Sequence, residues 1–344
     1  MEFETIKLTQ YSHGAGCGCK ISPAVLDRIL HSNEIQIDPR LLVGNDERDD
    51  AAVLDLGNGT ALISTTDFFM PIVDRPFDFG RIAAANAISD VYAMGGKPVL
   101  ALAILGWPID KLDPEVAREM MEGAREICKE AGFKIAGGHS IDSPEPIFGL
   151  SVNGIVSSQN LKRNSTATAG CRLYLTKPLG VGALSTAQKK GLLKEEDAAI
   201  ILKSMTKLNS IGLKLGEFKE IKAMTDVTGF GLLGHLSEMC EGSGLSAEVE
   251  FEKVPVIPSL NYYLDQKCIP GGTNRNWASY GHKISEITER HKQILCDPQT
   301  SGGLMVAVEE SGIDKFEEFM KENGFELTSF GRLTEKQENL IRVI

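Results

Sequence analysis

Asp49-Asp50-Ala-Ala-Val-Leu-Asp-Leu56-Gly57-Asn58-Gly59-Thr60-Ala-Leu-Ile-Ser-Thr-Thr66-Asp67 reads as two strands, Ala51 to Leu56 and Thr60 to Thr66, folded on each other. An asparagine between two glycines supplies the positive-φ turn that a tight hairpin needs, and β-branched and apolar residues flank it. Carboxylates stand at both ends of the unit. Asp49 and Asp50 end the loop before the first strand, and Asp67 closes the second.

Outward from the hairpin, strands and helices alternate. Phe79 to Met94 has helical spacing and stops at Gly95-Gly96, the expected C-terminal punctuation. Pro98 to Leu105 is continuously apolar and reads as a buried strand. Asp113-Pro114 opens a helix over Glu115 to Ala131, and two strands follow, Lys134 to Ile141 and Ile147 to Val156. Asn160 to Gly170 is small and polar, the best linker. Beyond it the pattern repeats. Strands are expected at Arg172 to Thr176, Ala247 to Phe251, Gly303 to Val308 and Leu327 to Leu333. Helices are expected at about 195–217, 228–242 and Asp314 to Asn323. Both halves are therefore mixed α/β sandwiches, an N-terminal one over 46–158 and a C-terminal one over 171–344, joined by 159–170. Residues 1–45 precede them with a glycine-rich segment and a short helix, Pro23 to Leu30.

The 344 residues suffice for two domains with full-sized cores. Hydrophobic content of 42% with 24% charged residues is that of a soluble globular chain. The apolar run Val99 to Leu105 is too short to span a bilayer, and the N-terminus lacks the pattern of a signal peptide. Seven scattered cysteines do not suggest a disulfide framework, so a reduced, cytoplasmic setting is expected. Cys128, Cys171, Cys240 and Cys268 fall in apolar stretches and read as core. A formal charge of −11 argues against nucleic acid as a partner. For an anionic substrate it calls for bridging cations, which draws attention to the aspartates.

The N-terminal segment, Tyr11-Ser-His13-Gly-Ala-Gly-Cys17-Gly-Cys19-Lys20, puts two thiols and an amine on a backbone loosened by three glycines. Such a stretch suits a mobile flap over a reactive substrate. It is not a P-loop, because Lys20 lies between Cys19 and Ile21. Half a zinc site, a strained disulfide and an idle tail are the plainer alternatives for the cysteine pair.

Asp90 follows Asn86 by one helical turn on the same face, and Asp226 precedes the glycine-rich turn Val227 to Gly234. Each aspartate alone reads as a cap or turn residue; together they suggest a magnesium–nucleotide site. Gly137-Gly138-His139-Ser140 could offer amides, an imidazole and a hydroxyl to a phosphate or ribose, or be a tight turn. Cys296-Asp-Pro-Gln-Thr-Ser-Gly-Gly303 reads as a loop leading into a core strand, with no chemical role assigned.

Taken together the chain resembles the selenophosphate synthetase family over nearly its whole length. The resemblance rests on His13 to Lys20, Gly44-Asn to Asp50, Thr65-Thr-Asp67-Phe-Phe, Asn86 to Asp90, Gly137 to Ser140, Thr225 to Gly231 and Asp297 to Gly303. It implies two domains of the aminoimidazole ribonucleotide synthetase-like type and the conversion of ATP, selenide and water to selenophosphate, orthophosphate and AMP. Selenophosphate is the selenium donor for selenocysteine and selenouridine synthesis. By the same resemblance Asp50, Asp90 and Asp226 hold Mg2+, and Lys20, Glu47, Arg48, Asp49, Asp67, Asp90, Gly138, His139 and Ser140 line the nucleotide. Cys17 handles selenium and Lys20 meets the phosphates, both as catalytic residues, in a homodimer that pairs N-terminal sheets. A monovalent cation such as K+ is the one further cofactor to consider. The rivals are another ATP-dependent small-molecule kinase of the same architecture and a non-enzymatic carrier of selenium or metal using Cys17 and Cys19.

Overall fold

A computed structural model describes residues 6–19, 38–44 and 49–344, together with positions 25 and 29 of the expected Pro23 to Leu30 helix, both helical. Lys20, Glu47 and Arg48 lie outside the described residues.

The hairpin forms as expected and seeds the first sheet. Strands β1 (Leu41–Val43), β2 (Ala52–Asp55), β3 (Thr60–Phe69), β4 (Lys97–Trp107), β5 (Ile135–Asp142) and β6 (Ile147–Ser157) lie in the order β1-β2-β3-β6-β4-β5. Leu54 faces Leu62 across the turn, and β3 runs antiparallel to β6 from Thr60↔Ser157 to Phe69↔Phe148. Helices α1 (Pro76–Ala93) and α2 (Pro114–Glu130) accompany it. Asp113 caps α2 by accepting from the Glu115 amide at 2.8 Å. The two helices touch through glycine. A Cβ at Gly80 would meet the Met120 carbonyl at 1.8 Å, and one at Gly123 would meet that of Phe77 at 1.9 Å. Only bare backbone allows that approach, and it leaves α1 almost wholly buried.

The strand expected over Pro98 to Leu105 is present but not buried on both faces. Val99, Leu100 and Leu102 are exposed, and with Phe68, Ile141 and Ile155 they form an uncovered apolar sheet face. The helices cover only the opposite side, so an unbroken apolar run here signals two apolar faces, one of them open in the single chain.

In the C-terminal half β7 (Arg172–Leu175), β8 (Ile221–Asp226), β9 (Ser246–Val249), β10 (Leu304–Val308), β11 (Gly331–Thr334) and β12 (Ile341–Val343) form a second sheet, ordered β12-β9-β11-β7-β10-β8. Strand β10, between β7 and β8, is fully buried. Around it run α3 (Val181–Lys189), α4 (Glu195–Thr206), α5 (Ile211–Leu215), α6 (Gly231–Ser243), α7 (Leu260–Asp265), α8 (Gly271–Tyr280), α9 (Glu289–Leu295) and α10 (Ile313–Glu322). The single helix expected over 195–217 is broken into α4 and α5. Asn209, between them, turns its side-chain amide to Ser89 Oγ and the Gly302 carbonyl, both at 2.8 Å, and so ties the halves together.

The segment 159–170 is packed between the halves. Lys162 is buried and donates to the carbonyls of Phe218 (2.7 Å) and Ile221 (3.0 Å). Burial lowers its pKa to about 8. The four cysteines expected in the core are there, and Cys296 joins them.

Candidate active site

The hairpin, α1 and β8 bring the aspartates to one region. Asp50, leading into β2, accepts the Thr225 hydroxyl on Oδ1 at 2.7 Å. Its Oδ2 is buried with no hydrogen-bond partner among the described residues. Asp49 accepts the Asp50 amide at 3.0 Å and the Asn164 amide at 3.1 Å. On α1, Asp90 accepts the Thr65 hydroxyl, and Asn86 one turn earlier donates to Asp67 Oδ2 at 2.6 Å. Asp226 ends β8, only 2% exposed.

The carboxylates of Asp49, Asp90 and Asp226 are within electrostatic reach of Asp50 but do not close on one point. Burial drives the Asp50 carboxyl well above the ordinary carboxylate range, and the charges of Asp226, Asp49 and Asp90 raise it further. Asp49 is raised to about 7, again chiefly by burial. Three carboxylates whose charges bear on a fourth, with Asp90 and Asp226 buried and Asp49 and Asp50 half-buried, are a poor resting arrangement and a good cation site. Among the described residues, no three of His, Cys, Asp and Glu close into a ready-made cage. An orphaned buried oxygen among spread-out hard donors fits an ion such as magnesium, which takes few carboxylates and fills its remaining positions with water and phosphate oxygens.

The loop Asp297 to Gly303, given no chemical role from sequence, supports the site. The Ser301 amide donates to Asn86 Oδ1 at 2.7 Å, which fixes the amide that holds Asp67. Ser301 takes a φ of +51°, unusual for a residue with a side chain. Lys177 steadies it. The buried Nζ donates to the carbonyls of Lys207 (2.6 Å) and Ser301 (2.8 Å). Burial lowers the Lys177 pKa to about 7, against the pull of Asp226. Nothing in the sequence singled out Lys177, because a lone lysine after a strand looks like any surface lysine.

The N-terminal segment is seated beside this loop. Leu8 is fully buried, and the Gly16 amide donates to the Met70 carbonyl at 3.0 Å. Gly16–Cys19 makes a 3-10 turn that carries the backbone of Cys17 and Cys19. Gly16 has φ +51°, and a Cβ there would stand 2.5 Å from Thr300 Oγ1. A cavity of about 550 Å³ opens next to the turn, lined among others by Gly14, Gly18, Gly182, Lys189, Arg275 and Thr300.

Gly138, His139 and Ser140 lie elsewhere, on β5 at the edge of the first sheet, and all are exposed. The register places Asp67, Leu150, Ala103 and Gly138 in one row. Three strand spacings, about 14 Å, therefore separate Asp67 from Gly138.

Two family models match the chain: "AIR synthase related protein, N-terminal domain" over residues 48–156 and the corresponding C-terminal domain over 168–344. The selenide, water dikinase of Photorhabdus laumondii is 61% identical over 339 residues, 98% of each chain. The chain belongs to the selenide, water dikinase family. The enzyme of the same name from Escherichia coli K12 is 60% identical, covering 97% of this chain and 96% of its own. Among solved structures, thiamine-monophosphate kinase from Stenotrophomonas maltophilia shares the fold, with a TM-score of 0.66, 19% identity and coverage of 93% and 94%. Family, fold class and the expectation of an enzyme are borne out. Among the described residues no helix is long and apolar enough to cross a membrane.

Proposed function

We propose that this chain converts ATP, selenide and water to selenophosphate, orthophosphate and AMP at the aspartate cluster beneath the Cys17 turn. The observation that carries the reading is the buried Oδ2 of Asp50, without a hydrogen-bond partner among the described residues, set among the charges of Asp49, Asp90 and Asp226. A cation is what such a group lacks, and a nucleotide's phosphates would complete its shell.

Asp50, Asp90 and Asp226 would hold Mg2+, which when bound neutralises the phosphates. Asp49 and Asp67 would face the nucleotide, and Glu47 and Arg48 are assigned to it by the family resemblance alone. Asn86 positions Asp67, and Ser301 positions Asn86. Phosphoryl transfer is catalysed mainly by such placement and charge neutralisation. Lys20 adds a positive charge at the phosphates, and Cys17 receives selenide, a soft nucleophile best kept from water and oxidants. Gly138, His139 and Ser140 reach a nucleotide only at a part distant from Asp67, or from a second copy of the chain. A homodimer through the open apolar face of the first sheet accounts for Phe68, Leu102, Ile141 and Ile155 standing in solvent. Five buried free thiols suit a reducing cytoplasm.

The test is nucleotide analysis under anaerobic conditions. AMP and orthophosphate should accumulate in equal amounts only when selenide is present. ADP as the stable product would favour the rival small-molecule kinase, and no turnover would favour a carrier.

A further inference from the structure

We propose that Lys189 and Arg275 are positioning residues for Cys17, gripping the turn that carries it by its backbone carbonyls on either side. Lys189, the last residue of α3, donates from Nζ to the Gly14 carbonyl at 3.0 Å. Arg275, on α8, donates from Nη2 to the Gly18 carbonyl at 2.7 Å. The two cations come from separate helices of the C-terminal half and bracket Cys17, three residues before it and one after. Long exposed cations ordinarily remain in solvent, because holding one geometry costs rotamer entropy. Both engaging the same five-residue stretch, Gly14 to Gly18, beside one cavity that both line, is a built arrangement.

The other half of the molecule holds the same stretch. His13 is bound through its amide and Nδ1 to Glu145 at 3.0 and 2.8 Å, and the Gly16 amide is held by Met70. Glu145 and Met70 belong to the N-terminal sheet region, Lys189 and Arg275 to the C-terminal helices. The Cys17 turn is thus seated only when both halves present their contacts together. Because the acceptors are carbonyls, the grip does not consume the thiol or compete with it. A cation also serves better than a neutral donor, since charge-assisted bonds are the stronger ones.

This inference rests on the proposed role of Cys17, and its test separates the two. Lys189→Met, Arg275→Met, the double variant and Arg275→Lys are compared with the parent chain. The first readout is the rate of Cys17 alkylation by iodoacetamide, with peptide mapping to distinguish Cys17 from Cys19. The second is kcat and KM for selenide beside the Kd of Mg-ATP. Losing both grips should speed Cys17 alkylation roughly 10-fold, the change expected for charge-assisted bonds of this kind. The kcat/KM for selenide should fall by a similar factor while the Mg-ATP Kd and the melting temperature hold. Arg275→Lys should recover part of the loss. An unchanged alkylation rate in the double variant overturns the proposal, as does a loss of Mg-ATP affinity equal to the loss in kcat/KM. Faster alkylation in a chain with no selenide turnover would keep the grip and overturn the proposed reaction instead.

Discussion

The hydroxyl of Thr225, at the end of β8, donates to Oδ1 of Asp50 at 2.7 Å, and this one bond ties the C-terminal sheet to the loop that opens the N-terminal hairpin. It fixes one carboxylate oxygen and leaves the other, Oδ2, buried and unanswered among the described residues. A carboxylate half satisfied by a neighbour and half presented to a cluster of like charges is poised for a cation.

Asp50→Asn should therefore weaken Mg-dependent ATP binding by roughly 10-fold or more, the range seen when a metal site loses a supporting group. Calorimetric titration with and without Mg2+ measures it. The same substitution relieves repulsion from Asp226, Asp49 and Asp90, so the metal-free variant should melt higher than the parent. An unchanged magnesium requirement would place Asp50 outside the site.

Gly16→Ala tests the seat of the Cys17 turn. With φ at +51° and Thr300 Oγ1 and Ile72 Cδ1 at 2.5 and 2.6 Å from any Cβ, the variant must leave its position, at a local cost of about 1–3 kcal/mol. Hydrogen exchange at the position 16 amide, protected by the Met70 carbonyl, should quicken while the global melting temperature moves little. Retained protection with full selenide turnover would contradict it.

Asp297 carries a pH dependence of stability. Its carboxyl, completely buried, is raised from 3.8 to about 7 by burial, against bonds from Gln299 and the Gly182 and Ala183 amides. Below the lower value both states are protonated. Between the two, the unfolded chain releases its proton while the folded one keeps it, so stability falls as pH rises through that window and levels off above about 7. Asp297→Asn has no proton to lose. Relative to the parent it should gain up to about 4 kcal/mol between pH 4 and pH 8, read from urea unfolding at each end. A constant difference between the two proteins would rule this out. Lys177, lowered to about 7, acts only above that window.

Leu102→Glu with Ile155→Lys places charges on the open sheet face, where both side chains are 42% exposed. If that face joins two copies, sedimentation velocity at micromolar concentration should show the parent as a dimer and the double variant as a monomer. A parent that sediments as a monomer would remove the homodimer.

What could be read from the chain, and what could not, follows the physics of each element. The hairpin was legible because Gly57-Asn58-Gly59 carries its own turn chemistry, and α1 because Gly95-Gly96 stops it. Asp50, Asp90 and Asp226 were legible as strand-end and helix-face carboxylates, and the charges of Asp90 and Asp226 both act on Asp50. Strand β8 went unread because it is short and polar at its end. The break at Asn209 depends on Ser89 and Gly302, both distant in the chain, which no local pattern encodes. The same holds for Lys177, Lys189 and Arg275, whose partners are backbone carbonyls contributed by other segments. The open side of the Pro98 to Leu105 strand was misread because an apolar run reports apolar faces without saying which of them is covered.

The central claim, a magnesium-dependent selenide dikinase built on Asp50, Asp90, Asp226 and Cys17, is most directly tested by anaerobic phosphorus NMR of the protein with Mg2+, ATP and selenide, beside the Cys17→Ser variant. The account predicts a phosphorus signal coupled to selenium, with matched AMP and orthophosphate, in the parent chain and none in the variant. ADP without a selenium-coupled signal, or full product from Cys17→Ser, would contradict it.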